Sequence, residues 1–143
     1  GLEERKEEME ERSGIISDTP ELTTVKIGTI PEKMNYDIAE FSVKAGKAIK
    51  LIFGNRDSMP HNIVLVNPNK ADEVGQAAIT LGAAGHDVGF VPQSKEIIWA
   101  SKLIGHNGED VIWFKAPTTL GDYQYVCTFP GHHFLMRGLM KVR

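Results

Sequence analysis

Tyr123-Gln124-Tyr125-Val126-Cys127-Thr128-Phe129-Pro130-Gly131-His132-His133-Phe134-Leu135-Met136-Arg137-Gly138 is the stretch that decides how this chain is read. Tyr123, Tyr125 and Cys127 alternate with Gln124 and Val126, so a strand here puts both rings and the thiol on one face. Pro130-Gly131 then reverses the chain, and His132 and Met136 follow within ten residues of the cysteine. Cys127 is the single cysteine, which excludes an internal disulfide and leaves a thiol that is buried, reactive or metal-bound.

Working outward, short stretches rich in β-branched and aromatic residues recur between Gly, Pro, Asn and Asp. They predict strands over 22–27, 38–43, 48–54, 61–66, 97–103, 110–115, 121–127 and 139–142. Ala39, Phe41 and Val43 interleave with Glu40, Ser42 and Lys44, as expected where one sheet face meets a core and the other meets water. Residues 111–114 are apolar throughout, which predicts a strand covered on both faces. Eight such strands with turn signals between them imply an all-β, Greek-key β-sandwich. One stretch departs from this: 69–82 has an Asn69 cap, Glu73 early, then Val74, Ala77, Ala78 and Leu81 at helical spacing before Gly82. It predicts one short inserted helix. Residues 82–92 are glycine-rich and read as a loop with Phe90 and Val91 packed back on the body.

The chain has 143 residues, room for one domain and an appended segment. Residues 2–12 are almost all Glu, Arg, Lys and Met, with Lys6 and Glu10, and Glu8 and Arg12, at helical neighbour spacing. The chain therefore divides into a charged N-terminal helical segment or linker, 1–20, and a domain over 21–143. Apolar residues make up 41% and charged residues 24%, which excludes a disordered chain. A net charge of -3 lacks the basic footprint of a nucleic-acid binder. No apolar run reaches the length of a membrane span, and the first residues lack a signal-peptide pattern. A start at Gly1-Leu2-Glu3 implies a processed protein or a cut piece.

A thiolate, an imidazole and a weak thioether on one short loop are a donor set that favours copper in a trigonal site with a distant axial Met. The loop supplies Cys127, His132 and Met136. A second imidazole is offered by Met59-Pro60-His61-Asn62-Ile63-Val64, where His61 opens an apolar strand that a Greek key can lay beside the loop. A lone cysteine is usually a small hydrophobe and a lone methionine core filler, but here they come with a Pro-Gly turn and two histidines. His133 is the rival of His132; successive residues do not both point inward from such a turn, so His133 is expected at the surface. His86 and His106 sit in glycine-rich turns and read as solvated. Trp99 and Trp113 read as core or sheet-face residues, and Tyr123 and Tyr125 as inner packing near the metal.

The loop resembles that of the cupredoxins, the type 1 blue copper proteins, and of the azurins among them, which carry Cys-Thr-Phe-Pro-Gly-His with Met four residues after the His. Ser101-Lys102-Leu103-Ile104-Gly105 is similar to the corresponding azurin strand and turn, and His61-Asn62 to the first ligand and its neighbour. Pro60 is more like the plastocyanins. The resemblance covers roughly 24–143. It implies His61 and His132 as imidazole ligands, Cys127 as thiolate, Met136 as weak axial ligand, Pro60 as a source of a weak backbone carbonyl, and Asn62 as the tie between the two ligand loops. Azurins also carry a disulfide near the amino terminus, which a single cysteine cannot form.

With four ligands no coordination position stays open for a substrate, unlike catalytic metal sites. The expected function is outer-sphere electron transfer by one Cu(I)/Cu(II) ion per chain, with no enzymatic activity. Met59, Pro60, Phe134 and Leu135 are candidates for an apolar patch around the edge of His132, the port for a redox partner such as a c-type cytochrome or oxidoreductase. The resemblance further implies export, as to a periplasm. A dinuclear copper centre would need two cysteines, and a multicopper oxidase site His residues in place of Val126 and Thr128. A cupredoxin module of a larger redox protein, or a copper-storage or delivery domain, is the alternative.

Overall fold

The computed structural model describes residues 13–143; the charged stretch 2–12 read above as helical lies outside the described residues. Among these residues there are nine strands: β1 Gly14–Asp18, β2 Thr23–Gly28, β3 Glu40–Val43, β4 Ala48–Gly54, β5 Val64–Val66, β6 Ile97–Ala100, β7 Glu109–Lys115, β8 Gly121–Val126 and β9 Arg137–Val142. They form two sheets, ordered β1-β2-β4-β7 and β3-β9-β8-β5-β6. β2 runs parallel to β4, and β3 to β9; the other neighbours are antiparallel. Strands far apart in sequence thus lie side by side, as a sandwich of crossed-over connections requires.

The alternating pattern sets which face turns inward. In β3, Phe41 and Val43 are buried while Glu40 and Ser42 are exposed. Val25, Ile27, Ile49, Leu51 and Phe53 of the first sheet form one core with Tyr123, Tyr125, Met140 and Val142 of the second. Each such large side chain contributes roughly 1.5–3 kcal/mol by leaving water. Tyr125 is 1% exposed, edge-on to Tyr36 at 5.3 Å, and its hydroxyl donates to the Ile38 carbonyl at 2.6 Å. The face shared by Tyr123, Tyr125 and Cys127 is therefore the inner one.

Several local expectations are corrected. β1 falls inside the stretch assigned to the N-terminal segment, yet it pairs with β2 as the edge of the first sheet. The expected strand 61–66 shortens to β5, because the Ile63 amide donates to the Ser101 hydroxyl at 2.9 Å instead of to a ladder carbonyl. His61 is left in an isolated bridge with Ile104. β7 is not covered on both faces: it is an edge strand, with Trp113 63% and Val111 40% exposed. Lys50 stands over the Trp113 ring at 5.1 Å, which offsets part of that exposure.

The inserted helix, α1, spans Ala71–Thr80. Asn69 does not cap it: Asn69 has φ 64, and the Ala71 amide donates instead to the Gln124 side chain at 3.3 Å. The following glycine-rich stretch is not a plain loop but winds into a 3₁₀ helix at Gly82–Val88. Phe90 does pack back, at 3% exposure.

Gly138 of β9 lies opposite Tyr125, and a Cβ there would stand 2.2 Å from the Tyr125 ring. The ring is held on its other sides, so Gly138→Ala should cost about 1–3 kcal/mol by overpacking, read as a lowered midpoint in urea unfolding. An unchanged midpoint would show that the ring can yield.

Candidate metal centre

Three segments meet at one end of the sandwich. β8 ends at Val126, and Cys127 follows with no exposed surface. A short 3₁₀ turn, His132–Phe134, brings the chain back towards β9, and the residues just before β5 supply His61. The Cys127 amide donates to the Met136 carbonyl at 3.0 Å and the Met136 amide to the His132 carbonyl at 2.9 Å, closing the loop on itself.

The donor atoms of His61, Cys127 and His132 all lie within 4.8 Å of one another. Nδ1 of each imidazole stands 3.7 Å from the Cys127 sulfur, and the ring centroids are 5.1 Å apart. His61 is 1% and His132 3% exposed, and Met136, four residues after His132, is fully buried. Pro60 is half-buried. Two imidazole nitrogens and a sulfur gathered at one buried point fit a soft to borderline metal ion.

Asn62 ties the two segments together. Its Oδ1 accepts from the Thr128 amide at 2.8 Å, while its Nδ2 donates to the Thr128 hydroxyl at 2.8 Å and to the Gly89 carbonyl at 3.0 Å. The Thr128 hydroxyl donates onward to the Phe90 carbonyl at 2.7 Å, and the Tyr36 hydroxyl to the Asn62 carbonyl at 2.7 Å.

Burial pushes the Cys127 thiol up to about 11, opposed by amide N–H groups of Asn62 and Phe129 that point at the sulfur. Burial first, and the neighbouring His61 second, lower His132 to about 4. Without a cation the centre therefore holds a neutral thiol and a neutral imidazole, and metal binding must release the thiol proton.

His86 and His106 are exposed, as expected, whereas His133 is not at the surface. It is 1% exposed, its ring lies so close to α1 that a Cβ on Gly75 would stand 2.1 Å away, and its Nε2 has no hydrogen-bond partner. The 3₁₀ turn is the reason: it sends His132 toward the metal centre and the next side chain toward the helix. Sequence reasoning also missed Asp57, whose Oδ2 lies 2.7 Å from His61 Nε2. Asn55 and Thr29 hold the surrounding loop through a buried side-chain pair at 2.9 Å. An acidic residue four positions before a candidate ligand was the available signal, and in Asn55-Arg56-Asp57-Ser58 it reads only as a turn.

Residues 23–143 match the family model of copper binding proteins of the plastocyanin/azurin family. The chain belongs to that family. Auracyanin-A of Chloroflexus aurantiacus is 34% identical over 121 residues, 83% of this chain and 74% of the relative. Azurin iso-2 of Methylomonas sp. strain J is 34% identical over 129 residues, 84% of this chain and 95% of the relative. Among solved structures, reduced auracyanin of Roseiflexus castenholzii has a TM-score of 0.76 at 35% identity, covering 84% of this chain and 96% of that one. The blue copper protein auracyanin A of Chloroflexus aurantiacus has a TM-score of 0.77 at 32% identity, covering 85% and 99%. The fold is thus that of a cupredoxin, and the cofactor is copper.

The shifted groups set a pH dependence for the apoprotein. His132 takes a proton near 6.5 when unfolded but only near 4 when folded, so between those values the unfolded chain binds more protons and acid favours unfolding. Cys127 works in the opposite sense, holding its proton to about 11 against 9.0, so stability falls again above pH 9. The melting temperature of the apoprotein, followed by circular dichroism, should fall from pH 7 to pH 4 and again above pH 9. A flat profile would contradict these environments.

Proposed function

We propose that this protein is a one-copper electron carrier and not an enzyme, with His61 and His132 ligating through Nδ1, Cys127 through Sγ, Met136 as a weak axial thioether and the Pro60 carbonyl as a further weak oxygen donor. The observation that carries the reading is the convergence of two imidazoles and the single thiol in a centre closed to solvent. Copper bound there would exchange one electron between Cu(II) and Cu(I).

The chain's own residues do the rest. Asn62 and Thr128 hold the two loops at one spacing in either oxidation state, so little has to move when charge changes. The amides of Asn62 and Phe129 stabilise negative charge on sulfur. Four donors leave no position for a substrate. Met59, Phe134 and Leu135, at 41%, 60% and 69% exposure, flank the two histidines in sequence and offer an apolar surface for brief contacts. No helix among the described residues is long and apolar enough to cross a membrane. The reading extends to an exported, periplasm-like setting and to a partner such as a c-type cytochrome or oxidoreductase; the likeness to auracyanin and azurin supports it. The charged stretch ahead of the domain is then a linker.

Copper titration of the purified chain should give a strong thiolate-to-copper band toward the red end of the visible spectrum, saturating at one ion per chain, and Cys127→Ser should abolish it. A colourless protein that holds Cu(II) only weakly would overturn the reading.

Leu135→Lys should leave that band unchanged and slow electron self-exchange, measured by NMR line broadening in mixed oxidised and reduced samples, on the order of tenfold or more, because two copies would bring like charges together. Unchanged exchange would remove this surface from the electron path.

A further inference from the structure

His61 and His132 are not equivalent. Nε2 of His61 meets the Asp57 carboxylate at 2.7 Å with both side chains almost completely buried, 1% and 5% exposed. Among the described residues His132 has no such carboxylate partner. Asp57 is not free to turn away. Its Oδ1 accepts from the Glu32 amide at 3.0 Å, and its own amide donates to Asn55 Oδ1 at 2.9 Å. Its carbonyl meets Nδ1 of His106 at 3.0 Å. Asn55 in turn donates to the carbonyls of Met59 and Ile104, each at 2.8 Å, which pins the segment leading into His61 on both sides.

We propose that Asp57 is a positioning residue for the metal centre, which fixes the proton of His61 on Nε2, leaves the Nδ1 lone pair facing Cys127, and lowers the reduction potential by favouring the oxidised ion. The inference rests on the functional reading in which His61 is a ligand. A carboxylate behind a ligating imidazole orients the ring and makes its other nitrogen a stronger donor. Its charge also acts directly. A divalent ion with one thiolate leaves a net positive centre that a buried carboxylate offsets, whereas a monovalent ion with the same thiolate is already neutral. Asp57 thus stabilises Cu(II) more than Cu(I), against the thiolate amides and the apolar surroundings, which favour the reduced form.

Asp57→Asn separates charge from shape, since the amide oxygen can still accept from Nε2. The expected result is a folded, blue protein whose affinity for Cu(II) relative to Cu(I) drops about tenfold or more. For one electron a tenfold change equals about 59 mV, read as a raised midpoint in a spectroelectrochemical titration. An unchanged or lowered midpoint in a blue Asp57→Asn protein would overturn the proposal and leave Asp57 a structural contact. Should that variant fail to fold, the wild-type chain decides. Long-range proton–nitrogen NMR on the Cu(I) protein should show His61 protonated at Nε2, with that proton shifted far downfield and slow to exchange. A bare Nε2, or a proton exchanging like that of a solvated imidazole, would overturn it. The apoprotein gives the same tautomer reading without copper. If the wild-type chain never turns blue while the apoprotein shows the protected Nε2 proton, the functional reading fails and the arrangement of Asp57 on His61 stands.

Discussion

Everything at the metal centre depends on one side chain spanning two segments that the sequence holds 66 positions apart. Asn62 follows His61 and Thr128 follows Cys127, so the hydrogen bonds between Asn62 and Thr128 set the separation of the imidazole and the thiol. An amide side chain suits the task because it offers an acceptor and two donors in one plane. Here all of them are used, on Thr128 twice and on Gly89 once. In a buried setting such a network is either complete or costly, so it resists partial opening. Tyr36 anchors the Asn62 carbonyl from the core, which makes the position of the centre a property of the whole sandwich rather than of its loops.

That rigidity bears on the chemistry. An electron carrier works fastest when its two oxidation states want nearly the same geometry. Packing favours that sameness, since His61, Cys127, His132 and Met136 are all buried. The cost falls on the apoprotein, which must hold a thiol and two imidazoles out of water. The displaced proton affinities of Cys127 and His132 express that cost.

Most of the fold was legible because burial in a sandwich imposes a period of two, and β3, β4 and β8 carry it openly. The candidate site was legible because Cys127, His132 and Met136 share one loop, and the structure gathers the first two with His61. Legibility failed where tertiary context decides. β1 is mostly exposed and carries no alternation; it is a strand only because β2 offers it an edge. The apolar run at 111–114 looked buried on both faces, but a strand at the end of a sheet can leave Trp113 in water. His133 was misread because the direction of its side chain depends on a 3₁₀ turn, not on distance from Pro130-Gly131. Asp57 was invisible for a similar reason: a turn, not a periodic element, aims it at His61.

The ring of His133 lies where a side chain on Gly75 would otherwise go, and Arg137 closes the same contact by reaching Asp72 at 2.7 Å. The loop that carries His132 and His133 and the helix α1 are therefore cut to each other's shape. A loop transplanted from a relative with a small residue in place of His133 would leave an imidazole-sized hollow over the helix. A larger residue introduced at Gly75 would suit such a graft and reject the native loop. Positions 75 and 133 form a lock between helix and loop, and exchange of loops among these proteins has to carry both halves of it.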